Sequence, residues 1–211
     1  MIHLYKGAAS NLASVCNALD YLNLEYHVTD FSDSPGCQAD DILLMPGVGS
    51  FEAAVNHASF PHLKKALSQG RFFRVVGICL GMQLCFDCSE EAEKGNIDGI
   101  GLISAPVRRL KDDENIFCDT SVGWHKTSMN IEGFPEHDYF YYVHSYGVRC
   151  DDLNKSVLTS AGLCNSSILH YNINDTQVCA GIWSDSLRIF QFHPEKSGEN
   201  GLQLLSRALE R

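Results

Sequence analysis

Apolar positions in the first half of the chain fall into short runs at residues 2–5, 25–29, 41–45 and 74–78, which read as strands. The run Asp-Ile-Leu-Leu-Met at 41–45 and the run ending at Ile78 do not alternate with polar residues, as expected of strands covered on both faces. Between the strands the spacing becomes helical. Residues 11–24 bring Leu12, Val15, Cys16, Leu19 and Leu22 near one face, and 51–69 reads as a helix interrupted near Pro61 and closed by Gly70. Such alternation predicts an α/β fold, a mostly parallel central sheet with helices on both faces.

From about residue 100 hairpin and turn patterns take over. Residues 139–144 and 178–192 read as long strands, the latter broken at Ser184-Asp185-Ser186, and 198–209 closes as a helix. No repeat, linker or low-complexity stretch divides the pattern, so one domain over 1–211 with an antiparallel extension is expected. A formal charge of −10 gives no footprint for a phosphate backbone. No apolar run approaches the ~18 residues of a membrane span. The nine cysteines are odd in number, and no basic-then-apolar segment precedes the first strand, so a cytoplasmic protein with reduced thiols is expected. On the same ground the N-x-S/T sequons at Asn154, Asn165 and Asn174 are chance matches.

Three segments carry candidate chemistry. Gly77-Ile78-Cys79-Leu80-Gly81 follows an apolar strand and precedes a helical pattern, the setting of a nucleophile elbow. A helix starting there would favour a Cys79 thiolate through its N–H groups and dipole. A thiol nucleophile needs a base and the base an orienting acid. His193 and Glu195, in Gln191-Phe192-His193-Pro194-Glu195, stand two apart at a strand end that Pro194 terminates, and project the same way if the backbone stays extended. Pro46-Gly47-Val48-Gly49-Ser50-Phe51 follows a buried strand, and its glycines free backbone N–H groups to face a cavity, as an oxyanion hole requires. The N–H of Leu80 would be the second donor. Without Gly-Lys-Ser/Thr it is no phosphate loop.

Two other features read as structural. Cys85 and Cys88 form one pair with no second, within the helix expected after the elbow, and read as thiols packed like small hydrophobes with no metal role. Arg108-Arg109-Leu110-Lys111 reads as a solvated strand end.

Taken with Met82-Gln83-Leu84, His144-Ser145-Tyr146 and Lys196-Ser197, these segments resemble class I (triad) glutamine amidotransferases over nearly the whole chain. The resemblance implies a Cys79–His193–Glu195 triad that releases ammonia from glutamine. It implies that Gln83 and the backbone around Ser145 and Tyr146 hold the glutamine. Gly47, Val48 and Gly49 become an oxyanion segment whose reorientation can limit activity. It further implies no cofactor, and as partner a (β/α)8-barrel cyclase that receives the ammonia. Tyr5-Lys6-Gly7-Ala8-Ala9-Ser10-Asn11 and Gly123-Trp124-His125 depart from the usual sequences of such histidine-pathway subunits. The acceptor is therefore open between a histidine-pathway cyclase and a sugar-amidating synthase of surface polysaccharides. A non-catalytic scaffold is the reading from another class. Gly123 and the polar His125-Lys126 place Trp124 on a surface turn, as a candidate interface residue.

Overall fold

A computed structural model describes residues 1–8, 11–33, 38–70, 72–110 and 121–211. The first half runs β1 (Ile2–Tyr5), α1 (Leu12–Tyr21), β2 (Tyr26–Thr29), β3 (Asp41–Met45), α2 (Phe51–Val55), α3 (Phe60–Ser68) and β4 (Phe72–Ile78). A four-residue helix, α4 (Leu80–Gln83), leads into β5 (Phe86–Ser89), β6 (Ile97–Asp98) and β7 (Ile103–Arg109). There follow β8 (Ser121–Ser128), β9 (His137–His144), β10 (Tyr146–Gly147), α5 (Lys155–Ser160), β11 (Ser167–Ile173), β12 (Thr176–Trp183), β13 (Leu187–Phe190) and α6 (Gly198–Leu209).

Among the described residues the main sheet has the order β2-β1-β3-β4-β13-β12-β11-β8-β9. The pairs from β2 to β13 are parallel and those from β13 to β9 antiparallel. The α/β architecture expected from the sequence is therefore present, antiparallel extension included. A smaller sheet, β10-β7-β5-β6, packs beside it.

The absence of alternation in β3 has a direct cause. Ile42 and Leu44 pack into one core with Val76, Ile78 and Leu204, while Leu43 and Met45 pack into the other with Phe51, Leu63 and Leu80. Both faces are covered, so no position can be polar at low cost. No helix of the described residues is long and apolar enough to cross a membrane.

Two local expectations need correction. The helical pattern after the elbow stops at Gln83: Cys85 lies past it and Cys88 on β5, because Phe86–Ser89 is drawn into the small sheet by β7 and β6. Trp124 lies within β8, in register with Tyr141 of β9, and on no turn; Gly123 fits the strand at φ 135°. The interruption expected near Pro61 is present at 56–59; Pro61 itself sits in the first turn of α3, where its missing N–H costs nothing. Arg108 closes β7 with ion pairs to Glu90 and Asp152. Lys111, Cys37, Cys118, Ala9 and Ser10 lie outside the described residues.

β1 and β3 are joined at their start by Asp41, which accepts from His3 Nε2 at 2.9 Å, from the Gln38 N–H at 2.8 Å and from the Met1 ammonium at 2.9 Å. Desolvation alone would raise its pKa, but these donors outweigh burial and hold it down to about 2. A carboxylate with a depressed folded pKa adds stability above its unfolded value of 3.8 and loses it as pH falls through about 2. Asp41→Asn should therefore lower the thermal midpoint at neutral pH and flatten the acid decline of stability between about 4 and about 2. Calorimetry across that range checks it; a parallel decline in both proteins would refute it.

Candidate active site

The strand β4 ends at Ile78, and the chain must turn into α4 within one residue. Cys79 makes that turn at φ 53°, ψ −110°, a region costing a non-glycine residue about 1–3 kcal/mol. Hydrogen bonds hold it there: Cys79 N–H donates to Phe190 O at 2.7 Å, and Gln83 N–H donates back to Cys79 O at 3.0 Å. The flanking glycines are steric requirements. A Cβ on Gly77 would lie 2.9 Å from the Gly81 backbone, and one on Gly81 would collide with the Met45 carbonyl of β3. A G-x-C-x-G sequence is thus what lets the elbow press against the neighbouring strand.

His193 follows β13, the strand paired with β4, so parallel register carries it to the elbow. Its ring is 1 % exposed, and Nδ1 donates to Glu195 Oε1 at 2.8 Å. The backbone does not stay extended between them; Pro194–Lys196 forms a 3-10 turn, and that turn still returns the carboxylate to the ring. Nε2 is buried with no hydrogen-bond partner among the described residues. Burial alone would lower the ring's pKa, yet the Cys79 side chain and then Glu195 favour the charged form and lift it to about 9.

The edge strand β9 closes over this turn. His193 N–H donates to Tyr141 O at 2.9 Å, Tyr141 N–H to Ser197 Oγ at 3.0 Å, and Ser197 O–H to His193 O at 2.6 Å. Val143, His144, Ser145 and Tyr146 thereby line a cavity of about 320 Å³ with Cys79, Leu80, Gln83, Val48, Gly49 and Glu91. His144 is buried, with a pKa pushed down to about 4 by burial, so the ring is neutral. Its Nδ1–H donates to Tyr146 O at 2.8 Å, and Nε2 accepts from the Tyr171 hydroxyl at 2.8 Å.

Most residues singled out from the sequence therefore meet at one cavity. Gly47, His193 and Glu195 do not line it; the Gly47 carbonyl accepts from Leu80 N–H at 3.4 Å, so that N–H is engaged by the segment facing it. Gly49 holds φ 95°. Trp124 lies apart, on the outward face of β8. Sequence reading passed over Glu91, which accepts from Phe51 N–H at 2.8 Å and whose pKa burial raises. It stands in Glu90-Glu91-Ala92-Glu93, where nothing local separates a cavity acid from solvated ones. Gln191 and Ser197 stand in the segments quoted around the His-Pro-Glu motif, but sequence reading gave neither a role.

The profile described as glutamine amidotransferase class-I matches residues 2–210. The chain is 36 % identical over 211 residues to the imidazole glycerol phosphate synthase subunit HisH of Microcystis aeruginosa, covering 95 % of this chain and 90 % of that one. It is 34 % identical to the protein of the same name from Chlorobium luteolum, over 100 % of both. The fold is shared with a putative GMP synthase subunit from Thermoplasma acidophilum at TM-score 0.66 and 14 % identity, covering 99 % and 91 % of the two chains. A solved structure described as a glutamine amidotransferase superposes at TM-score 0.63 and 13 % identity, with 99 % and 97 % covered.

The elbow's tight seat on β3 sets the cost of adding a side chain there. Gly81→Ala should cost at least about 2 kcal/mol, since relief requires β3 or the elbow to move. Gly162→Ala, at φ 73° with open space around it, carries backbone strain alone, about 1–2 kcal/mol. Urea unfolding of both variants compares them; a smaller loss at Gly81 would refute the steric role.

Proposed function

The chain belongs to the class I glutamine amidotransferases, and from that membership we propose that it is the glutaminase subunit of an imidazole glycerol phosphate synthase. It hydrolyses L-glutamine and passes ammonia to a (β/α)8-barrel cyclase subunit in histidine biosynthesis. The observation that carries the chemistry is the buried His193 ring, tied by Nδ1 to Glu195 and with Nε2 left unpartnered beside the strained Cys79. The acceptor rests on the synthase subunits from Microcystis and Chlorobium, similar over almost their whole lengths. No observation favours the sugar-amidating or scaffold alternatives.

In this reading glutamine enters with its carboxamide over Cys79 and its backbone end towards Gln83, Ser145 and Tyr146. Glu91, across the cavity, supplies a counter-charge for the α-ammonium. Cys79 Sγ attacks the carboxamide carbon, and N–H groups of the 47–49 segment and Leu80 stabilise the oxyanion. His193 gives its Nε2 proton to the departing nitrogen, so ammonia leaves and a γ-glutamyl thioester remains. The ring, now neutral, takes a proton from water, which attacks the thioester; glutamate leaves and Cys79 is regenerated.

Strand register offers one support for a partner surface. Val122, Trp124, Tyr139, Tyr141 and Val143 share one face of the β8–β9 ribbon with Lys126, and Trp124 is edge-on to Tyr141 at 6.1 Å. Val122, Trp124 and Tyr139 are more than half exposed, while Val143 lines the cavity. A partner on this largely apolar face would lie against the strand whose Val143 lines the cavity.

Cys79→Ala should abolish glutamine hydrolysis in the subunit–cyclase complex and leave synthesis from added ammonium salts intact. Retained glutaminase activity in that variant would sink the nucleophile assignment. The charged His193 ring exists below about 9, so acylation should fall as pH rises through that value. Because Glu195 raises the ring's pKa, Glu195→Gln should move this alkaline limb of kcat/KM to lower pH; an unmoved limb would exclude the role.

A further inference from the structure

We infer that the side-chain amide of Gln191 is a hydrogen-bond donor to the Cys79 sulfur, and that Gln83 locks it in that orientation. The inference deepens the proposed function and rests on Cys79 being its nucleophile.

A thiolate at an elbow is ordinarily favoured by the helix that follows, but α4 has four residues and too few aligned peptides for a sizeable dipole. A donor to sulfur must come from elsewhere. Gln191 is fully buried directly after β13, with its backbone N–H on Ala180 O at 2.8 Å. Its Nε2 stands 3.7 Å from Cys79 Sγ. On another side of the sulfur lies the Val143 carbonyl at 4.0 Å, an acceptor that suits the thiol and not the thiolate.

An amide could present oxygen or nitrogen to the sulfur, and the surrounding bonds decide which. A carbonyl can only accept, so the Gln83 atom 2.8 Å from Tyr146 O is its nitrogen. The neutral His144 ring donates to the same carbonyl, which fixes that oxygen as a doubly used acceptor. The second hydrogen of Gln83 Nε2 points to Gln191 at 3.1 Å, so the atom it meets is Oε1. The Gln191 nitrogen is left facing Cys79. Rotating the amide by 180° would set nitrogen against nitrogen at Gln83 and oxygen against sulfur, losing the Gln83 bond in a buried site and leaving a thiolate no donor. Orientation is thus set from a backbone carbonyl outward, through Gln83 and Gln191 to the sulfur.

The titratable groups facing Cys79 are His193 and Glu195 on the turn after β13, His144 on β9, Tyr146 on β10, Tyr171 on β11 and Glu91 across the cavity. None changes in the test. Alkylation of Cys79 by iodoacetamide needs neither glutamine nor partner, and the Cys79 peptide can be followed by mass spectrometry against the other cysteines. Gln191→Leu should slow Cys79 alkylation about tenfold at neutral pH and shift its pH profile upward, since a bond to a charged acceptor is the one removed. Gln83→Leu should give part of the same effect, and the double variant should add little to Gln191→Leu. Should Gln191→Leu fail to fold by thermal melt, Gln191→Glu keeps the volume and the acceptor for Gln83 but sets oxygen against sulfur, and should shift the profile further. An unshifted profile in a folded Gln191 variant, or additive effects in the double variant, would overturn the inference. Failure of the nucleophile assignment would instead appear as glutamine hydrolysis by the Cys79→Ala complex.

Discussion

The close approach of Gly81 to the Met45 carbonyl is the constraint on which the site depends. Because no side chain fits between α4 and the end of β3, the elbow can sit tightly against the sheet. That contact forces the reversal at Cys79 into one residue, hence its positive φ. It also puts the Gly47–Gly49 segment, which continues β3, against Leu80. Candidate nucleophile and candidate oxyanion segment are thus two consequences of one packing contact. The strain at Cys79 is offset locally by its bonds to Phe190 and Gln83.

The two halves of the main sheet do different work, with β13 as the joint. On its parallel side β13 pairs with β4 and aligns the chain end that becomes Gln191 and His193 with the elbow. On its antiparallel side the sheet continues through β12, β11 and β8 to β9. It then curls until β9 meets the 3-10 turn that holds Glu195. Ser197 fastens that closure by bonding both Tyr141 N–H and His193 O. The same ribbon presents buried Tyr142 and His144 inward and exposed Val122, Trp124 and Tyr139 outward. Alternation along a strand lets one hairpin wall the cavity and offer an apolar surface.

What the sequence disclosed follows this division. Residues 42–45 of β3 and 75–78 of β4 were legible because burial on both faces leaves runs without polar residues. The elbow was legible because its glycines answer a steric demand along the chain, and His-Pro-Glu because proline ends the strand that carries it. The short α4 was not legible, since Phe86–Ser89 is claimed by pairing with β7, a partner distant in sequence. Trp124 was misread as a turn residue for a similar reason: the polar residues beside it alternate along a strand whose partner is β9. Glu91 and Gln191 were invisible locally because their positions follow only from where Phe51 N–H and Gln83 lie after folding.

The Leu80 N–H has two competing uses under the proposed function, and their magnitudes differ. In the structure it donates to Gly47 O at 3.4 Å, beyond the usual 2.7–3.2 Å of a good N–H···O bond, so exchanging it costs at most about 1 kcal/mol. Turned to a developing oxyanion, such a donor is worth roughly 3–4 kcal/mol, or 10²–10³ in rate. A weak ground-state bond then stands between the resting arrangement and a much stronger transition-state one. Rotation of the peptide after Gly47 is enough to decide between them, and Gly47 and Gly49 leave that backbone free of the side chains that would resist it. The β8–β9 face that would receive a partner shares Val143 with the cavity that Val48 and Gly49 also line. A docked partner would therefore need to redistribute only about 1 kcal/mol to alter the rate by far more than that energy alone suggests.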